Sequence, residues 1–571
     1  MASGSSSVTL DEALARLSTL NESIVAYHER LDFNNDAFFL ISMSIIIFMM
    51  QFGFAFLEAG CVRSKNTTNI LIKNLLDSCI ASIAYFFCGW AFAYGTRANP
   101  FCGFGQFLMI GLEPAQFPRW FFQFTFTAAA STIVSGAVAE RCEFIAYLVY
   151  STLISGFVYP VITHWVWDQS GWLANGPEGI QFKDFAGSGV VHLHGGTTAL
   201  IAAIILGPRI GRFPDKKTGT PAVPIKGHST PFVAMGAFML MFGFFAFNGG
   251  SQGTLGRPGD GETVARAVSN TMLCSGWAAI TVLLINKLLV GKKWSMLLSI
   301  NAALAGMVSA CSGCDALEPW ACSVVGIGSG ICYFSLSILV EKVRIDDPVD
   351  AIAVHFGGGL WGVIIAPIMM HEGIIYTGSR RAFLQWGWNL VGAAAIFGWS
   401  FLVMGTIFLI LRITGFFRVP RDVELKGLDI YKHGEDAYPQ IAYGHGWDKE
   451  EPSEDYFSNS THSSYVRHRT GNGSPNGYAN GGVAIKLNGS PHESDQMRGE
   501  HVHVWTHRNG QLADRDTYSA PSLRLHGERP ENVHHARRRM YNSNLVQPEN
   551  YYSRHPGWYN YEKDSRHMLH L

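Results

Sequence analysis

Two histidines lie inside long apolar runs of this sequence: His192 in Val191-His-Leu-His-Gly-Gly196 and His355 in Val354-His-Phe-Gly-Gly358. An ionisable side chain deep in an apolar segment is costly and marks a functional site by default. Imidazole exchanges its proton near neutral pH, so two together can hydrogen-bond a small solute and relay a proton. His194 is a different matter. It lies two residues from His192, which on a helix turns it roughly 200° away. The two cannot line one narrow passage, so His194 is expected in a helix–helix contact, satisfied by a hydrogen bond.

Other candidates surround the pair. Asp184 opens the run that carries His192. It suits a helix N-cap, and its charge also suits the mouth of a cation path. Asp350 opens the run of His355 and reads as its equivalent at the opposite end. Aromatic residues gather in His164-Trp-Val-Trp167, Phe121-Phe-Gln-Phe-Thr-Phe126 and Phe247-Asn-Gly-Gly-Ser251. Ring faces attract a cation without the rings of carbonyls that suit bare potassium.

These residues need long helices to hold them. Of 571 residues, 48% are hydrophobic and 15% charged, against about 25% charged in soluble domains. A spanning helix needs about 20 mostly apolar residues. Eleven runs qualify, near 37–59, 74–95, 119–139, 143–166, 185–206, 230–250, 264–290, 294–311, 320–340, 347–370 and 384–411. The expected fold is an all-α membrane protein with eleven transmembrane helices. Residues 1–36 are expected outside the membrane, without a cleavable signal peptide, and 11–29 as a short soluble helix. Asn21-Glu-Ser in this segment is a glycosylation triplet. With the N-terminus outside, the short inner loops hold fourteen Lys and Arg against six in the outer loops. That bias sets the orientation and places the C-terminus in the cytoplasm. A net charge of −1 gives no sign of a nucleic-acid partner.

An internal repeat is visible. Phe52-Gly-Phe-Ala-Phe-Leu-Glu-Ala-Gly60 in the first run resembles Phe242-Gly-Phe-Phe-Ala-Phe-Asn-Gly-Gly250 in the sixth, and the histidine strings match fifth with tenth. Units of five spans must lie in opposite orientations. This gives two inverted five-helix repeats plus one extra helix, a transporter plan with its site at the repeat interface. The inversion brings His192 and His355 together. The ten cysteines contain no zinc pattern and read mostly as small buried hydrophobes; a disulfide between Cys311 and Cys314 is an open alternative. Composition shifts at about residue 413, and residues 446–571, rich in Gly, Asn, His and Arg, are expected to be a disordered tail.

The strings Asp184-Phe-Ala-Gly-Ser-Gly-Val-Val-His192 and Asp346-Asp-Pro-Val-Asp350-Ala-Ile-Ala-Val-His355 resemble the ammonium transporter (Amt/MEP/Rh) family, Amt branch, of eukaryotic type. So do Gly136-Ala-Val-Ala-Glu-Arg141, Phe247-Asn-Gly-Gly-Ser251, Glu318-Pro-Trp320 and Gly427-Leu-Asp-Ile-Tyr-Lys-His-Gly434. The resemblance covers about 35–440. It implies a non-enzymatic transporter domain at 37–412, one pore per protomer, a homotrimer in the plasma membrane, and no cofactor or metal. It implies ammonium or ammonia as the transported species, with methylammonium as a candidate second substrate. Trp167, Ser251 and Phe126 then resemble the external ammonium site, with Asp184 as supporting acid. Phe126 and Phe247 resemble a stacked gate, and His192 and His355 the twin histidines of the pore. Residues 413–445 resemble an ordered cytoplasmic regulatory segment that docks on a neighbouring protomer. Asp429, His433 and Gly434, with Asp350, are its expected structural positions. Tyr431 stands where plant members carry a regulatory threonine, so that phosphorylation does not carry over.

The chemistry agrees with the resemblance. Ammonium is close to potassium in size, but it has four directed donors and can lose a proton. Taking an intact cation through an apolar constriction costs several kcal/mol or far more, which neutral ammonia avoids. Alternatives from other classes are a sensor signalling through the tail, a gas channel, and an intramembrane metal enzyme. The last lacks carboxylates at ligand spacing near the histidines.

Overall fold

The computed structural model describes residues 9–215, 219–291 and 293–439. Eleven long helices dominate them: α1 Leu10–Cys61, α2 Ser64–Tyr94, α3 Phe117–Ala137, α4 Phe144–Trp167, α5 Ser188–Leu206, α6 Thr230–Gly250, α7 Asp260–Val290, α8 Met296–Ala310, α9 Ala321–Lys342, α10 Ile352–Met369 and α11 Arg380–Ile413. All but α3 and α8 are long and apolar enough to cross a membrane by length and composition. The chain is thus a mostly helical, multi-pass membrane protein. The expected tail at 446–571 lies outside the described residues.

Side-chain caps begin several helices. Ser229, Ser295 and Ser379 accept from the N–H groups of Phe232, Leu298 and Ala382, satisfying donors a helix leaves open at its start. α5 and α10, which carry the two histidines, are among the most enclosed of the membrane-length helices, with 83% and 72% of their apolar windows buried. α1 packs tightly on α6 because both are glycine-bearing there: a Cβ on Gly236 would lie 2.2 Å from the Leu57 nitrogen.

Two expectations are corrected. Residues 11–29 are not a separate soluble helix, since α1 runs unbroken for 52 residues. No Gly or Pro interrupts it before Gly53, and the Asp36 carboxylate, a candidate cap for a new helix, instead accepts from the N–H groups of Leu255 and Gly256. Lys73, one of the fourteen residues counted in the inner loops, is instead buried inside α2, where its Nζ donates to the Cys142 carbonyl at 3.3 Å. Cys311 and Cys314, read as small buried hydrophobes with a disulfide left open, are free thiols, both buried, and Cys311 donates to Asn248 Oδ1.

After α11 the chain folds back on its own helices. α12 (Arg421–Lys426) carries Val423, and Leu428 just precedes a helical turn at Asp429–His433; both are buried with Val419. Polar contacts within the chain also hold this segment. Arg418 donates to the Leu206 and Pro208 carbonyls and pairs with Glu424 at 2.8 Å. Lys432 pairs with Glu143 at 2.9 Å.

Candidate functional site

The site is built where α5 and α10 begin. Asp184 accepts from the N–H groups of Gly187, Gly189 and Val190 at 3.2, 2.8 and 2.9 Å. Gly187 supplies the left-handed φ of 101° that this turn requires. Asp347 does the same for α10, accepting from Val349 and Ile352 at 3.3 and 2.7 Å. Both helices open on a widened π turn, Ser188–Leu193 and Ile352–Gly357, a local feature frequent at functional sites. The two turns meet at reciprocal glycines. A Cβ on Gly196 would lie 2.2 Å from the Phe356 nitrogen, and one on Gly359 would lie 2.7 Å from the Leu193 nitrogen.

This close crossing places His192 against His355. Their Nδ1 atoms are 3.1 Å apart and their rings are nearly parallel, at 14°. One Nδ1 therefore carries the proton that the other accepts. His192 Nε2 is buried without a hydrogen-bond partner in the protein, so the pair presents an open nitrogen. His194 points elsewhere, as expected, and bonds Ser400 Oγ at 2.7 Å.

Aromatic rings continue the line on one side. Phe244 lies over His192 with centroids 5.6 Å apart, and Phe247 lies at the same distance. Phe247 stacks on Phe126 at 4.0 Å and 17°, and Phe126 meets Trp167 edge-on at 5.8 Å. Trp167 donates to the Asp184 carbonyl at 2.8 Å. Ser251 caps α6 one turn beyond Phe247 and donates to its carbonyl at 2.8 Å. On the other side of His355 is a cavity of ≈ 20 Å³, walled by Phe54, Leu57, Glu58, Phe244, Asn301 and Val354 among others. That is room for about one molecule of water or ammonia size.

The comparisons with known proteins agree with this architecture. The model of the Ammonium Transporter Family matches residues 37–438. The chain belongs to this family. A Caenorhabditis elegans ammonium transporter is 54% identical over 434 residues, covering 72% of this chain and 80% of that protein. Ammonium transporter 1 member 3 of Solanum lycopersicum is 37% identical, covering 71% and 93%. Among solved structures, a sensor Amt protein aligns with a TM-score of 0.65 at 30% identity, over 71% of this chain and all of that one. Candida albicans Mep2 aligns at 0.62 and 25% identity, over 71% and 93%.

Within this member of the ammonium transporter family, Asp350 does not take the place expected for it. Asp347, not Asp350, precedes its histidine by the same eight residues as Asp184 and caps its helix. Asp350 instead has a left-handed φ of 59° and accepts from Tyr333 Oη at 3.0 Å and Asn301 at 3.3 Å. In the tail, Asp429 accepts from the Asn69 N–H at 2.8 Å, and burial pushes its carboxyl up to about 6 against the pull of backbone N–H groups. His433 Nε2 lies 2.8 Å from Asn69 Nδ2, and Gly434 ends the turn with a left-handed φ of 67°.

Sequence reasoning missed two groups. Glu58 is buried beside the cavity, held by Ser135 and Asn74; its signal was the lone acid in an apolar run. The second is a buried ion cluster. Arg209 pairs with Asp346 at 2.8 Å and Glu140 at 3.3 Å, and Glu140 also holds Arg63 at 2.7 Å. Among the described residues, no group of three or more His, Cys, Asp or Glu is arranged to hold a metal ion.

Proposed function

We propose that this ammonium transporter recruits ammonium beside Trp167, Phe126, Ser251 and Asp184, and passes it, as ammonia with its proton handed separately, along His192 and His355. The observation that carries the reading is the histidine pair: two buried imidazoles 3.1 Å apart with one unpartnered nitrogen, in line with a stack of rings. Burial favours the neutral solute, and linked Nδ1 atoms give the proton a separate route. The Phe126–Phe247 stack is the gate and opens by ring rotation.

The reading extends to the whole chain. α3 and α8 also cross the membrane, giving eleven spans, and α1–α5 and α6–α10 are inverted repeats. Two parallels support this. Asp184 and Asp347 stand eight residues before their histidines, and Gly196 and Gly359 four after. Glu58 of α1 binds Asn74 of α2 and Ser135 of α3, while Asn248 of α6 binds Thr271 of α7 and Cys311 just after α8. The same bracket recurs five helices later. Residues 1–36 are extracellular, with Asn21 a glycosylation site; 37–412 form the transporter domain of a plasma-membrane homotrimer; and 413–445 regulate it from the cytoplasm. Methylammonium is a second substrate.

Reconstituted protein in planar bilayers tests the mechanism. His192→Ala and His355→Ala should each suppress ammonium flux or admit potassium. Full, selective flux in both variants would overturn the histidine pathway.

A further inference from the structure

Glu58 faces the cavity that His355 also walls, on the side of the histidine pair away from Trp167. Its side chain is 2% exposed and inside α1. Ser135 Oγ lies 2.7 and 2.8 Å from its two oxygens, placed to donate its one proton to either, and Asn74 Nδ2 donates at 2.7 Å. A satisfied bracket of this kind explains why α1, α2 and α3 hold together. It does not explain why the bracket is an acid. Asn248 builds the corresponding bracket among α6, α7 and the end of α8 with a neutral amide, using Thr271 at 2.8 Å and Cys311 at 3.1 Å. A carboxyl group is therefore not needed for that architecture, and its extra property is that it exchanges a proton and binds a cation.

We propose that Glu58 is the exit site of the pore, where ammonia is converted back to ammonium. The inference rests on the relay reading above. The proton released when ammonium loses an N–H bond near Phe126 passes along His192 and His355 to the Glu58 carboxylate. Ammonia arriving in the cavity then takes it: the carboxyl O–H bond breaks, a new N–H bond forms, and ammonium pairs with the carboxylate before leaving. One ammonium disappears on one side and one appears on the other, and Glu58 ends as it began. The cavity admits one molecule of this size, which suits a single exchange. The charged groups around Glu58 are Lys73 and Asp77 of α2, with His355 across the cavity and Asp350 bonded to Asn301 of its wall.

The test uses the full chain in proteoliposomes, with currents evoked by ammonium jumps across the range in which imidazole titrates. Glu58→Gln keeps the shape of the bracket and removes the exchangeable proton. It should lower the current about 100-fold, the size of a lost acid–base group, and change its pH profile, while the thermal midpoint stays near that of the unaltered chain. Glu58→Asp should recover part of the current. Ser135→Ala separates the structural role, since it should lower the midpoint more than Glu58→Gln does while costing much less current. An unaltered current and pH profile in Glu58→Gln would overturn the proposal, as would loss in Ser135→Ala equal to that in Glu58→Gln. His355→Ala in parallel distinguishes the two levels: full selective current there sinks the relay itself, whereas loss there with full current in Glu58→Gln sinks only the exit site.

Discussion

α5 and α10 begin alike, each on an aspartate that gathers backbone N–H groups, yet Asp184 and Asp347 stand in opposite surroundings. Beside Asp184 are rings: Trp167 bonded to its carbonyl, then Phe126 and Phe247 stacked face to face. Next to Asp347 is Asp346, locked to Arg209, with Glu140 and Arg63 beyond and Arg141 donating to the Asp346 carbonyl at 2.7 Å. The same helix start is thus set in an aromatic end and an ionic end. The difference teaches what each end is for. On the proposed reading, the rings leave Asp184, held by backbone N–H groups and not by an arginine, as a source of negative potential for a cation. Arginines neutralise the other end and spend their hydrogen bonds tying together the loops after α1, α3, α5 and α9.

The largest effect should come from breaking the ionic end. Arg209→Ala leaves Asp346 buried without its main partner and Glu140 with Arg63 alone, and such a loss costs about 3–5 kcal/mol. The matching pH dependence has a definite sign. Burial works to raise the Asp346 carboxyl, but the hydrogen bonds and charge of Arg209 outweigh it and hold it well below the usual range. Its stabilisation is therefore full above the ordinary aspartate pKa of about 4 and is lost as pH falls below that. Thermal unfolding in detergent should show a steep acid limb that Asp346→Asn flattens. If Arg209→Ala unfolds at the temperature of the unaltered chain, the ends do not differ in the way described.

A smaller effect is expected at Asp184, and with the reverse pH sign. Burial pushes its carboxyl up to about 6 against the backbone N–H groups of Val190, Gly189, Ser188 and Gly187. The folded state then holds this proton more tightly than the unfolded chain, so stability falls as pH rises from about 4 to about 6 and is level above. Asp184→Asn should remove this slope. Asp184→Ala should cost about 1 kcal/mol as a lost cap, more than Asp184→Asn. Equal loss of transport in both variants, at matched membrane levels, would show that the charge outweighs the cap.

Part of this contrast was legible in the sequence. His192 and His355 declared themselves through apolar flanks and repeated strings, and the ring-bearing residues through their clustering. The ionic end did not, because Arg63, Glu140, Arg209 and Asp346 come from four separate loops, and no periodicity reports a pairing across such separations. Asp347 was hidden by Asp346 and Asp350: three acids within five residues look alike until the backbone shows which one faces the helix start. The unbroken α1 was missed for a similar reason, since only the distant loop at Leu255–Gly256 shows that Asp36 is engaged elsewhere.

The smallest expected effect on stability is also the sharpest test of the aromatic end. Phe247 of α6 corresponds to Leu57 of α1 in the repeat, and Leu57 walls the cavity. Phe126→Leu would leave Phe247 without the ring it stacks on. The lost ring pair is worth about 0.5–1.5 kcal/mol beyond its buried area, so the thermal midpoint should move little. Selectivity should move more. With centroids 4.0 Å apart the rings leave no gap for a solute, so on the proposed path one of them has to turn at each passage. A leucine at position 126 removes both that obstruction and a ring face that attracts the cation. Ammonium current should then saturate at higher concentration while its maximum is kept or raised, and discrimination against potassium should weaken. Unchanged half-saturation and unchanged selectivity in Phe126→Leu would place the conduction path away from this ring stack and remove the functional basis for contrasting the two ends.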